Sequence, residues 1–150
     1  MSHYPLSITH YPRTGTVLGF DFGEKRIGIA VGDFETRLAH PLTTLAAADN
    51  RSRFAAIAAL VREWRPVRLI VGLPAHADGT EHEMSRLARR FAQRLHGRFG
   101  IPIDLVDERF TSAAAETALR ATGAGARRRK AALDAVAAQE ILRTFFAARQ

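Results

Sequence analysis

The sequence predicts an α/β fold: a single domain with a mixed five-stranded sheet flanked by helices. One observation behind this is the order of its apolar runs, since β-β-β-α-β-α-β-α-α describes a mixed sheet covered by helices. A second is length, because 150 residues fit one domain and suffice to bury a substantial core. The third is composition: 47% hydrophobic and 25% charged residues are the proportions of an ordinary globular protein.

Residues 1–15 read as an irregular arm, with Pro5, Pro12 and Gly15 and no periodicity, which leaves 16–150 for the domain. Thr16 to Phe22 reads as a strand, Gly23-Glu24-Lys25 as a turn, and Arg26 to Asp33 as a second strand, where Ile27, Ile29 and Val31 alternate with smaller or polar residues. A third strand spans about Leu38 to Leu45, and Pro41 makes it an edge or bent strand. Asp49 or Asn50 caps a helix running to about Trp64, with Phe54, Ile57, Ala58, Val61 and Trp64 on one face. After Pro66, the run from Val67 to Gly72 is a buried strand, and Asp78-Gly79 marks a turn in the loop that follows. A second helix, about Glu81 to Arg98, turns Met84, Leu87, Ala88, Phe91 and Leu95 inward. Gly100 and Pro102 end it before a strand from Ile103 to Glu108. Thr111 or Ser112 caps a short helix to about Ala121, and a final helix runs from about Arg129 to Ala147.

Charge narrows the partners. The net charge is +7, and only Lys25 and Lys130 among the 22 basic residues are lysine. Arginine's planar fork matches phosphate oxygens, and a basic surface attracts polyanions. A base-biased genome would also produce an Arg- and Ala-rich chain. The absence of cysteine excludes disulfides and thiolate metal sites. No apolar run approaches the roughly 18–20 residues a bilayer requires, and the stretch Met1 to Pro5 lacks the marks of a secretory signal. The expectation is a cytoplasmic protein without a membrane partner.

The chemistry rests on acids in apolar surroundings. Asp21 interrupts the first strand and shares a face with Val17 and Gly19, while Leu18, Phe20 and Phe22 point to the other. Gly23 and Gly28 keep the nearby backbone slim enough for a phosphate or metal to approach. Asp134 lies within roughly 40° of Ala138, Ile141 and Phe145 on a helix, so it faces inward. Glu108 shares its strand face with Val106, and Asp107 with Leu105 and Ile103; alternation does not decide which of the two faces the site. Each acid has a structural alternative: a turn-initiating Asp at a strand end, or an early-turn Asp satisfied by a helix N-terminus. A buried carboxylate costs several kcal/mol unless compensated. Divalent ions are the obvious compensators, and an all-carboxylate site points to phosphodiester chemistry.

Arg109 fits either an ion-pair partner or a phosphate ligand. The run Arg127-Arg128-Arg129-Lys130 stands at the start of the last helix, where the partial charge is already positive. A bound phosphate would relieve that conflict, and a solvated basic loop is the alternative. The six histidines show no metal-ligand spacing, and neither a nucleophile elbow nor a phosphate loop occurs.

Four segments together resemble the YqgF family, also called RuvX, of RNase H-like proteins. They are Gly19 to Gly28; Ile70 to Pro74 with Asp78 to Glu81; Asp107 to Thr111; and Lys130 to Asp134 with Ala137, Ala138, Ile141 and Leu142. The resemblance covers about residues 16–147 and implies an RNase H-like fold with the first strand central and the final helix beside it. It implies processing of pre-16S rRNA in ribosome biogenesis, with Asp21, Glu108 and Asp134 as catalytic acids and ligands of Mg²⁺ or Mn²⁺. Lys25, Arg26, Arg109 and residues 127–130 would then hold the nucleic-acid backbone. His76 stands where many relatives have asparagine, and Ala75 is smaller than usual. Two alternatives follow from the same resemblance: a nuclease resolving branched DNA (Holliday junctions), which needs a homodimer rather than a monomer, and a non-catalytic factor binding structured RNA. Asp21-Phe22-Gly23 also resembles the phosphate motif of actin-like ATPases, which need two such halves where this chain supplies one.

Overall fold

A computed structural model describes residues 14–46, 49–74, 83–108 and 126–149. Five strands form one sheet: β1 (Thr16–Phe22), β2 (Ile27–Asp33), β3 (Ala39–Leu45), β4 (Arg68–Leu73) and β5 (Ile103–Asp107). Their order across the sheet is β3-β2-β1-β4-β5, which puts β1 at the centre. The β1–β2 and β2–β3 pairs are antiparallel, because short turns join them; β1–β4 and β4–β5 are parallel, because a helix intervenes in each crossover. The sheet is therefore mixed, as the order of apolar runs predicts.

Two apolar layers follow from strand alternation. Leu18, Phe20, Ile27, Ile29, Leu69, Val71 and Ile103 pack on one face against Phe54 and Ile57 of α1 (Asn50–Trp64) and Phe91, Ala92 and Leu95 of α2 (Glu83–Phe99). On the other face, Val17, Ala30, Ile70 and Val106 meet Ala138, Ile141, Leu142, Phe145 and Phe146 of α3 (Ala126–Ala148). Among the described residues α3 alone covers this face, so its placement controls everything beneath it.

The residues under α3 are unusually small. Gly19, Gly28, Gly32 and Gly72 all lie on this face. A Cβ at Gly19 would stand 2.6 Å from the Leu142 side chain, and one at Gly32 3.1 Å from Phe146. At Gly28 it would collide with the backbone carbonyl of Asp134, and at Gly72 with the Glu108 carboxyl and Ile141. Gly28 therefore makes room for a helix backbone, and the phosphate or metal approach expected there gives way to that contact.

The element ends follow local chemistry. The Asp49 side chain accepts from Ser52 N at 2.8 Å and caps α1, while Arg65 at φ 46° ends it with a bond to the Val61 carbonyl. β3 is the sheet edge that Pro41 implies, and its register shifts between Ile29 and Ala30. Arg37, at φ 58° in the β2–β3 turn, donates to the carbonyls of Phe146 and Arg149 and closes the C-terminal end of α3. The last helix begins at Ala126 rather than about Arg129, so the basic run lies within its first turns. The expected N-terminal arm (save its last two residues) and the short helix after Thr111 fall outside the described residues. No helix among the described residues is long and apolar enough to cross a membrane.

Candidate active site

The site is assembled by register. Asp21 pairs directly with Gly28 on β2, and both face α3. Asp134 sits in α3 with its backbone pressed over Gly28. Leu73 pairs with Asp107 at the end of the β4–β5 ladder, and the Glu108 amide donates to the Leu73 carbonyl at 3.2 Å. The Glu108 carboxyl then reaches back over Gly72. Three segments far apart in sequence thus bring their acids to one end of the sheet, two from strands and one from the helix above them.

Glu108 is the acid that turns inward; Asp107 is exposed. Alternation explains the outcome, since Val106 belongs to the α3 layer and Ile103 to the opposite one. The glycine at position 72 is the missing signal: it clears the volume that the Glu108 side chain occupies.

Asp21 and Glu108 share a hydrogen bond. Burial, then the charge of Asp134, lifts Asp21 from its ordinary 3.8 to about 6, while the bond to Glu108 works the other way. Burial, then the charge of Asp21 and the bond between them, lifts Glu108 from 4.5 to about 9. Both shifts run upward, so the pair shares a proton that two free carboxylates would have released. Asp134 stands near enough to raise Asp21, yet its own carboxylate accepts from Arg26 Nε at 2.6 Å. Among the described residues no three acids or histidines are gathered closely enough to grip an ion as they stand.

The basic residues divide. Arg26, expected to touch nucleic acid, spends its Nε on Asp134, with its side chain 39% exposed. Its first task is to hold that carboxylate. Lys25 is exposed at the turn beside it. Arg109 lies outside the described residues, as do the side chains of Arg127, Arg128, Arg129 and Lys130, whose backbone is helical. Of the histidines, His40 is exposed, His96 bonds the Ile101 carbonyl through Nδ1, and His76 and His82 fall outside the described residues.

Two buried arginines escape sequence reasoning. Arg68 opens β4 and pairs with Asp104 on neighbouring β5 at 2.8 Å. Arg53 is only 6% exposed, with its guanidinium 5.6 Å from the Phe22 ring centre. A signal existed for Arg53: it lies about 40° from Ile57 around the helix, on the inward stripe.

The comparisons agree with this architecture. A family model described as "RuvX: Holliday junction resolvase" matches residues 15–148. A "Putative pre-16S rRNA nuclease" of Dechloromonas aromatica is 59% identical over 132 residues, 88% of this chain and 90% of that protein. One of the same name from Nitrosomonas europaea is 54% identical over 133 residues, 89% of this chain and 90% of that protein. Among solved structures, RuvC of T. thermophilus in complex with a Holliday junction substrate superposes with a TM-score of 0.56 at 20% identity, covering 90% of this chain and 95% of that one. The resolvase of fowlpox virus bound to junction DNA gives 0.57 at 8% identity, covering 89% and 97%. At such identities the structural likeness speaks for the fold, and it is the RNase H-like fold of the resolvases. With the family pattern spanning nearly the whole domain and close relatives matched almost end to end, the chain belongs to the RuvX family.

Proposed function

We infer that this chain is a nuclease hydrolysing phosphodiester bonds, with Asp21, Glu108 and Asp134 as its acids and a precursor of 16S rRNA as its substrate. The observation that carries the reading is the half-buried Asp21–Glu108 pair beneath α3, with Asp134 beside it. Pressing half-buried carboxyls together destabilises them unless positive charge is part of the function. The names of the curated relatives supply the substrate.

The donor set is all hard oxygen, which suits Mg²⁺ or Mn²⁺ rather than a soft metal. Asp21, Glu108 and Asp134 would hold one or two such ions. When bound, they supply activation of a water and neutralise charge at the departing 3′ oxygen. The chain's own residues do the rest. Glu108 would release its proton to solvent when an ion is held, so that both members of the pair present charge. Arg26 orients Asp134, and its partly exposed guanidinium would also meet a phosphate. Gly28 and Gly72 keep α3 and Glu108 close to the sheet. Lys25, Arg109 and residues 127–130 would bind the strand backbone.

The test uses purified protein, Mn²⁺ and a transcript carrying the 5′ extension of 16S rRNA. Cleavage by the unmodified chain, abolished by Asp21→Asn at unchanged circular dichroism, is the expected result; equal cleavage by the variant would place the activity elsewhere. The family description and the resolvase-like fold favour one second reading, junction-resolving activity on branched DNA. That reaction needs two opposed active sites, hence a homodimer. Symmetric nicking of a four-way junction by a dimer, without RNA cleavage, would select it.

A further inference from the structure

A second basic feature lies on the opposite face of the sheet from the acids. Between α1 and α2, at the end of β1, is a cavity of about 360 Å³ lined by Phe22, Glu24, Arg53, Arg90 and Arg94, with Phe54 and Phe91 among its apolar walls. Three arginines meet there against one carboxylate. None of the three forms an ion pair among the described residues, although other surface arginines do, as Arg86 does with Glu83 and Arg143 with Glu140. Arg53 is the informative one. It is 94% buried by its 6% exposure, and among the described residues its Nε and Nη2 have no hydrogen-bond acceptor. Its contact with the Phe22 ring positions the guanidinium but accepts no N–H. A cation desolvated to this degree, set in the wall of a cavity beside two further cations, calls for an anion.

Size and position identify the anion. The cavity falls in the range of small-ligand pockets and exceeds what a lone inorganic ion would fill. Its phenyl rings offer an apolar wall to a sugar or base next to the charge. Asp21 and Phe22 are consecutive and point to opposite faces, so the cavity and the acids flank the same end of β1. We propose that the Arg53–Arg90–Arg94 cavity is a nucleotide-phosphate subsite, holding a single-stranded extension of the substrate that passes around the tip of β1 from the acids. This rests on the nuclease reading for the strand, while the recognition chemistry is the same for a free mononucleotide.

The experiment measures binding rather than cleavage, so the two readings fail separately. A fluorescein-labelled single-stranded RNA is titrated by anisotropy in EDTA at several salt concentrations, and AMP is titrated alone by calorimetry. Arg90→Gln/Arg94→Gln changes two surface side chains and spares the core; Arg53→Gln is the companion, accepted only with an unchanged melting curve. A control, Arg62→Gln/Arg143→Gln, removes the same charge elsewhere. The expected result is RNA affinity about tenfold weaker in the cavity variants, with a salt slope shallower by about one to two, and little change in the control. AMP binding lost in the same variants would show that a free nucleotide also fits; AMP without affinity, alongside the weakened RNA binding, assigns the subsite to the strand. Equal loss in cavity and control variants, or no loss in either, overturns the subsite. If the unmodified chain binds no RNA, the nucleic-acid reading falls first and the subsite with it.

Discussion

At the residue scale, the Asp21–Glu108 pair makes a prediction about stability as well as activity. Both carboxyls titrate higher in the folded chain than in the unfolded one, so the native state keeps protons that the unfolded state has released. Stability therefore falls as pH rises, from 3.8 to about 6 for Asp21 and from 4.5 to about 9 for Glu108. In EDTA at pH 8, Asp21→Asn or Glu108→Gln should raise the melting temperature by about 3 °C or more, and the gain should vanish near pH 4. Thermal melts across that range check it, and a loss of stability at pH 8 would show that the pair is structural. Asp104→Asn should do the reverse. It leaves the buried Arg68 guanidinium without its charged neighbour, at a cost of roughly 2–4 kcal/mol in urea unfolding. Asp21 and Asp134 were legible at this scale because an acid inside an apolar pattern is anomalous. Glu108 was not separable from Asp107, since choosing between them required the partner strand and Gly72. Arg53 and Arg68 were illegible for a related reason: burial of a long cation depends on which neighbours shield it, not on its own segment.

At the element scale, α3 is the part that turns a sheet into a site. Its close approach depends on glycines contributed by three strands, and Gly28 is the tightest point. Gly28→Ala should cost roughly 1–3 kcal/mol or more through forced displacement. It should also lower Mn²⁺-dependent cleavage, because Asp134 moves with the helix. Gly97→Ala, where an added Cβ would meet nothing within 4 Å, is the matched control. Asp49→Ala tests a simpler local rule: loss of the α1 cap should cost about 1 kcal/mol by the same measurement, with cleavage retained. All five strands and three of the helices were visible as apolar runs with caps and stops. Boundaries shifted by one to three residues where charge misleads. The basic run looks too repulsive to begin a helix, yet it does.

At the scale of the whole molecule, a +7 chain should bind nucleic acid in a strongly salt-dependent way. Raising salt from 50 to 200 mM should weaken RNA binding on the order of 10²-fold, and Arg128→Gln/Arg129→Gln should flatten that dependence by about one to two in slope. Affinity indifferent to salt would remove the basic run from the interface. The topology also bears on assembly. β3, the outer strand beside β2, carries a proline and an irregular register. An incoming strand would find a gapped set of donors along that border, so lateral extension of the sheet is discouraged there. Should two copies pair to act on a branched substrate, the seam is to be sought among helices or along the far border at β5. Crowding of many copies on one long polyanion then carries less risk of fibrous growth.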